Sequence, residues 1–402
     1  MLAFEEALAR ITAEMPAPSH ETVPLTAACG RILADHIRSP IDLPSFDNSA
    51  MDGYAVRSAD VASAKAESPV RLSLAGRVAA GEVWPTAVAP GTCVRLFAGS
   101  PLPPGADAVV MQEDTRIQAG ATGGVLVLDR AEPGENVRAV GKDVRQGMML
   151  VEAGEVLSPG RIGLLAAAGF GHVPVGRQPV VGLVATGSEL IEPEMPLAHG
   201  RIYESNRAAL AALMQRVGAI PKTFSIVADT LAGTAQALLH AFNKCDAVVT
   251  CGGVSVGDMD FLKPALEQID GKLEFWQVAM KPGRPFAFGH LQEKPIFGLP
   301  GNPVSAFVTF LLLVRPALLR WQGAKDLCLP SHPGVLAEPL ANPGERRHFM
   351  RVRVSSGGDI HSAGLQASHA LSSLACANGL VDVPPNTTLV AGTKAPVLRW
   401  ES

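Results

Sequence analysis

Between about Pro179 and Gly323, short apolar runs alternate with longer stretches of helical spacing, and this alternation constrains the chain more than any other feature. VVGLVA, KTFSIVA, DAVVTC, KLEFWQVAM and KPIFGL read as strands, and RAALAALMQRVG, LAGTAQALLHAFN, FLKPALEQI and VSAFVTFLLLV read as helices. Runs this apolar are buried on both faces, which requires a parallel sheet covered by helices on both sides. The expectation is a doubly wound α/β domain over residues 178–325, with Gly218 ending the RAALAALMQRVG helix.

The remaining sequence is of other kinds. From Pro40 to about Gly147, runs such as VRLSLAG, CVRLFAG and DAVVMQE lie between turn residues, which predicts a β-rich domain over 42–141. Its flanks, 1–41 and 142–177, have mixed character, and in LSPGRIGLLAAAG Ser158 is placed to cap a helix that Pro159 opens. The β-rich part therefore reads as an insertion into a two-segment mixed domain. HFMRVRV, GLVDVP and APVLRW predict a small C-terminal β domain over 326–402. A chain of 402 residues with 47% hydrophobic and 18% charged residues suits several ordered domains.

Several functions are disfavoured at once. With 34 basic against 38 acidic residues, net charge −4, no global field attracts nucleic acid. MLAFEEALAR places two glutamates where a signal peptide carries basic residues and reads as an amphipathic helix. The most apolar stretch, Val308 to Leu319, is interrupted by Arg315 and Pro316 and reads as too short for a bilayer, so no membrane segment is expected. Six cysteines without CxxC spacing, and histidines without an HExxH pair, disfavour structural zinc and suit a reducing, cytoplasmic setting.

In an open parallel sheet, ligands bind at the loops leaving the strand carboxyl ends. Here those exits carry TGSEL (Thr186, Ser188, Glu189), Asp229, GGVSVGDMD, KPGRP and PGNPVS. Gly252, Gly253, Ser255 and Gly257 form a loop whose backbone N–H groups can meet an anion, although it is neither a Walker A loop nor a GxGxxG fingerprint. Glu189, Asp229, Asp258 and Asp260 are hard oxygen donors suited to Mg²⁺ with phosphates completing its shell. Lys281 and Arg284 offer positive charge, and Pro300, Gly301, Asn302 and Pro303 form a rigid entry to a helix N-terminus. Each of these also has a plain structural reading as a cap, solvated charge or turn; their convergence on one edge favours a site. Two further segments stand out. SFDNSAMDGYAV concentrates Asp47, Asn48, Ser49 and Asp52, and in HFMRVRV alternation places Arg351 and Arg353 together on an exposed face, with Ser368 and His369 of GLQASHALSS as possible neighbours.

Taken together, FDNSAMDGYAV, TGSEL, CGGVSVGDMDF, VAMKPGRPFAFG, GLPGNPVSAF and GLQASHALSS resemble the molybdopterin molybdenumtransferases, the family that includes the E domain of gephyrin, over nearly the whole chain. The resemblance implies four structural domains, a central molybdopterin-binding domain like that of the molybdopterin adenylyltransferases, and a homodimer with its site between subunits. It implies that adenylated molybdopterin and molybdate yield molybdenum cofactor and AMP with help from Mg²⁺, and that contact with a molybdopterin adenylyltransferase is transient. It places functional acids at Asp52, Asp143, Glu189, Asp229 and Asp260, basic and oxyanion-binding positions at Lys281, Arg351 and Ser368, and loop prolines at Pro300 and Pro303.

Two positions depart from the family pattern. Ala98-Gly99 stands where many members have Thr-Gly, so a hydroxyl contact there is lost or must come from Ser100, and Gln277 stands where some have lysine, removing one positive charge. Competing readings are an adenylyltransferase, disfavoured by the additional β domains, and a noncatalytic pterin-binding scaffold, disfavoured by the intact acids.

Overall fold

The computed structural model describes residues 1–118, 124–254 and 260–400. The sheet that carries the candidate site has six strands: β1 (Val180–Ala185), β2 (Ile220–Thr223), β3 (Ala247–Cys251), β4 (Lys272–Trp276), β5 (Ala287–Leu291) and β6 (Lys294–Leu299). Their order is β2-β1-β3-β6-β5-β4. Parallel pairing links β2, β1, β3 and β6, whereas β5 is antiparallel to both β6 and β4. The wholly parallel sheet expected from the pattern is thus corrected to a mixed one. AFGHL is an extra strand, and β6 follows it by a tight hairpin through Gln292 (φ +56°) and Glu293 rather than by a crossover. Two reversals restore direction, so β4 still points the same way as the parallel set. KTFSIVA is also corrected: β2 ends at Thr223, and Val227 makes only an isolated bridge to Thr186.

Side chains alternate across this sheet into two cores. Val181, Leu183, Val249, Phe297 and Leu299 pack with helix α1 (Asn206–Arg216) and the long helix Pro303–Trp321. Val184, Val248 and Ile296 pack with α2 (Leu231–Phe242) and α3 (Leu262–Gln268). Gly218 follows α1 at φ +78°, where a side chain would be strained. The amphipathic N-terminal helix Phe4–Ala13 buries Ala7 and Ile11 in the first of these cores.

The apolar stretch after Pro303 is not broken at Arg315-Pro316, as the sequence suggested. It is one 19-residue helix, and 83% of its most apolar window is buried, so it serves as a core helix. Pro316 has no N–H to give to the carbonyl four residues earlier, and the ladder widens to π spacing over Phe310–Val314 instead of ending.

Around this unit, His20–Pro24 pairs with His172–Gly176 and Ile37–Arg38 with Met149–Val151, over a core containing Leu33, Leu157 and Leu165. Ser158 accepts a bond from Arg161 N and Pro159 opens the following helix, as its sequence predicts. Residues between these pairings supply a separate six-stranded sheet that includes Gly53–Val56 and Thr92–Leu96. The C-terminal sheet, also six-stranded, takes in Met280–Lys281, which lies parallel to Arg347–Val354 with Lys281 opposite His348. The MKPGRP segment therefore leaves the central sheet and pairs with the next one.

Candidate active site

A cavity of about 650 Å³, within the usual range for small-ligand sites, lies at the carboxyl ends of the central strands. All five exits reach it: Thr186, Gly187 and Glu189 after β1, Asp229 after β2, Gly252, Gly253 and Asp260 after β3, Pro285 after β4, and Pro300 to Pro303 after β6. Ser255, Gly257 and Asp258 lie outside the described residues. Gly252 and Gly253 have φ of +92° and +68°, and a Cβ on Gly252 would stand 2.5 Å from the Thr186 carbonyl oxygen. These glycines are required because two strand exits meet there backbone to backbone. The Thr186 hydroxyl beside them is buried without a hydrogen-bond partner among the described residues.

The acidic exits are held in defined positions. Ser188 N donates to Asp229 Oδ2 at 2.7 Å, and Asp229 N donates to Ser188 Oγ at 3.0 Å, so the first two exits brace each other. Behind them, Glu204 is buried; its Oε2 accepts from Arg207 Nε at 2.8 Å and its Oε1 from the N–H groups of Asn206 and Arg207. Arg207 also donates to Glu192 at 2.7 Å. Burial pulls the Arg207 pKa down, but its bonds to Glu192 and Glu204 outweigh that, leaving it raised. Asn206 Nδ2 donates to the Gly301 carbonyl, tying this wall to the proline loop. Sequence reasoning missed the segment from Ile202 to Asn206, whose only signal was polar residues at a helix entry. Cys251 lines the floor, but burial pushes its thiol pKa far up, so it has no nucleophilic character at neutral pH.

The electrostatics are one-sided. Glu189, Glu204, Asp229 and Asp260 line the cavity, and no lysine or arginine does so among the described residues. Glu204 is neutralised by Arg207; Glu189, Asp229 and Asp260 are the other carboxylates of the lining. No three of these carboxylates converge tightly enough to cage a metal among the described residues. The donor chemistry nevertheless fits Mg²⁺, which ordinarily keeps water and phosphate ligands beside one or two carboxylates.

Other sequence candidates are placed elsewhere. Lys281 is exposed and does not line the cavity, because its strand belongs to the C-terminal sheet. Arg284 is exposed and equally absent from the lining. Arg351 corrects the expected exposed arginine face: it is 0% exposed, while Arg353 is exposed. The loop over residues 362–373 folds across the strand at that point, and Arg351 donates to Ser373 Oγ, Leu365 O and Ala367 O. Its buried Nη1 has no partner. The same loop brings His369 and Leu371 to the cavity, and the Ser368 carbonyl accepts from Val304 N at the start of the long helix.

Asp52 and Asp143 do not line this cavity either. Asp52 is exposed and accepts from Ala98 N at 2.8 Å, whereas Asp143 lines a separate surface hollow with Lys142 and Arg145. Ser100 cannot replace the hydroxyl lost at Ala98: it is fully buried, and its Oγ donates to the Val78 carbonyl.

A mixed α/β sheet with a glycine-lined, acidic cavity at its strand ends, flanked by β-rich domains on either side in sequence, defines a multidomain α/β protein with a ligand site at the carboxyl edge of its central sheet. Three family models match in order: "MoeA N-terminal region (domain I and II)" over residues 2–169, "Probable molybdopterin binding domain" over 182–320, and "MoeA C-terminal region (domain IV)" over 333–400. Molybdopterin molybdenumtransferase of Haemophilus influenzae is 38% identical over 388 residues, covering 94% of this chain and 93% of that protein. Molybdopterin molybdenumtransferase 2 of Mycobacterium tuberculosis is 39% identical over 400 residues, covering 98% of each. The crystal structure of a molybdopterin biosynthesis MoeA protein from Pyrococcus horikoshii superimposes with a TM-score of 0.83 at 33% identity, covering 100% of both chains. The chain belongs to the molybdopterin molybdenumtransferase family, transferases of molybdenum cofactor biosynthesis.

Proposed function

We propose that this chain transfers molybdate to adenylated molybdopterin, releasing AMP, and that the 650 Å³ cavity holds the pyrophosphate-bearing substrate. The supporting observation is the lining itself: the carboxylates of Glu189, Asp229 and Asp260 with no lysine or arginine among the described residues, a surface that repels a polyphosphate unless a cation lies between them. Glu189, Asp229 and Asp260 would hold Mg²⁺ together with substrate phosphates and water; when bound, it supplies neutralisation of the charge that develops on the pyrophosphate.

The chain's own groups do the rest. The Ser188–Asp229 bonds keep one carboxylate from turning away, Gly252 and Gly253 let the first and third exits close against each other at the cavity wall, and Asn206 fixes the proline loop as a rigid wall. In this reading Lys281, Arg351 and Ser368 serve the oxyanion, with Arg351 acting by holding the loop that carries Ser368.

A homodimer is part of the same proposal. Asp52 and Asp143 are absent from the cavity of their own chain, and a partner's β-rich and mixed domains seated at its mouth would supply such groups. Transient delivery of substrate by a molybdopterin adenylyltransferase fits that arrangement. We also assign the chain to the cytoplasm; the six cysteines are free thiols, three of them exposed, which suits a reducing compartment.

The test is purified protein with adenylated molybdopterin, molybdate and Mg²⁺, following AMP release and reconstitution of a molybdenum enzyme by the product. Molybdate-dependent appearance of both supports the reading, whereas binding without AMP release overturns it in favour of a scaffold. Full AMP release by Asp229→Ala or Glu189→Ala at limiting Mg²⁺ refutes the metal assignment alone.

A further inference from the structure

A second cavity, of about 520 Å³, shares no lining residue with the first. It opens where the N-terminal segments, the end of α1, the long helix and the C-terminal sheet meet. Its walls are apolar: Ile32, Leu213, Val217, Leu311, Leu319 and Trp400. Leu311 lies within the π-spaced turn that Pro316 imposes on the long helix.

The arginines of this cavity are its charged groups. Arg216, Arg315 and Arg399 line it together with His332, and no carboxylate does among the described residues. Arg315 is partly buried, and its Nη1 donates to the Leu327 carbonyl at 2.8 Å. Burial lowers its pKa, because the guanidinium has lost much of its water. Arg399 Nε is buried with no hydrogen-bond partner among the described residues. A guanidinium that has lost water and donates to a carbonyl, as Arg315 does, is stabilised further by an anion brought beside it.

We propose that this cavity is a second ligand site, separate from the transfer site, for a small amphiphilic carboxylate. Its apolar body lies against Leu213, Val217, Leu311 and Leu319, and its carboxylate bridges Arg315 and Arg399. An apolar wall with convergent cations selects against both halves of such a ligand taken alone: a neutral chain leaves the guanidinium groups unpaired, and a short acid leaves the wall wet.

Octanoate is the probe, titrated calorimetrically into the full chain, with octan-1-ol and acetate as controls. Octanoate saturates at one per chain, and both controls bind at least about tenfold more weakly, the factor expected for a charge-assisted bond. Arg399→Gln weakens octanoate about tenfold and leaves octan-1-ol unchanged. Val156→Trp fills the mouth from a rim position that is 47% exposed, so the fold is preserved; it abolishes octanoate binding while AMP release from adenylated molybdopterin continues. Equal binding of octanoate and octan-1-ol, octanoate binding unchanged in both variants, or no saturation below the onset of micelles overturns the proposal. The octanoate readouts do not depend on whether the first cavity transfers molybdate; the AMP readout alone rests on that reading.

Discussion

Glu204→Ala tests whether the wall behind the acidic cavity is held by a buried charge pair. Glu204 and Arg207 side chains are 3% and 6% exposed, and their Nε–Oε2 separation is 2.8 Å. Removing one partner of a buried pair costs about 3–5 kcal/mol, since the other is left charged and dry. Arg207 keeps Glu192, which is 51% exposed, and the Phe224 carbonyl, which places the loss near the lower end. Two N–H groups at the start of α1 also lose their acceptor. The expected loss is about 3 kcal/mol, a fall of roughly 1 M or more in urea midpoint. Trp276 and Trp321 both belong to this part of the chain and report its unfolding by fluorescence. The double variant Glu204→Leu/Arg207→Met removes both charges and should recover most of the loss. A shift from Glu204→Ala no larger than that of a surface substitution, or a double variant as unstable as the sum of its singles, would refute the reasoning.

Three further outcomes follow from particular contacts. Gly252→Ala places a Cβ 2.5 Å from the Thr186 carbonyl at a φ of +92°, so AMP release should fall at least about tenfold while the circular dichroism spectrum is retained; wild-type turnover would show that the two exits can part. Arg351→Lys keeps the charge but not the fork that binds Leu365, Ala367 and Ser373, and should raise the molybdate concentration for half-maximal AMP release about tenfold; an unchanged value would detach the loop from oxyanion binding. Burial, followed by Lys281, Arg351 and Arg346, pushes His348 down from 6.5 to about 4. The unfolded chain therefore takes up that proton first: His348's contribution to stability is complete above pH 6.5 and is lost as pH falls to about 4. The urea midpoint should drop more over that window in the wild type than in His348→Gln, and parallel curves would contradict the assignment.

The sequence by itself determined the central architecture and the edge at which the site lies. Strand-length runs of Val, Ile and Leu can be buried only between two helical layers, and glycines and acids placed after those runs reach the carboxyl edge by chain connectivity alone. Glu189, Asp229, Gly252, Gly253, Asp260 and the proline loop were legible for that reason, and all of them line the cavity. Local pattern also sufficed for the Ser158 cap and the Gly218 stop, whose physics is confined to a few neighbouring residues. What local pattern could not carry was the partner of each segment. Alternation along HFMRVRV gives two faces but cannot say that a loop some fifteen residues further on closes over one arginine and leaves the next in water. The turn at Gln292 reverses β5 into β6, Lys281 is drawn into another sheet, and the long helix passes through Pro316 with 83% of its most apolar window buried. The tertiary structure alone decided these points, because burial and counter-charge depend on contacts between residues distant in sequence, and those contacts are set only when the whole chain has packed.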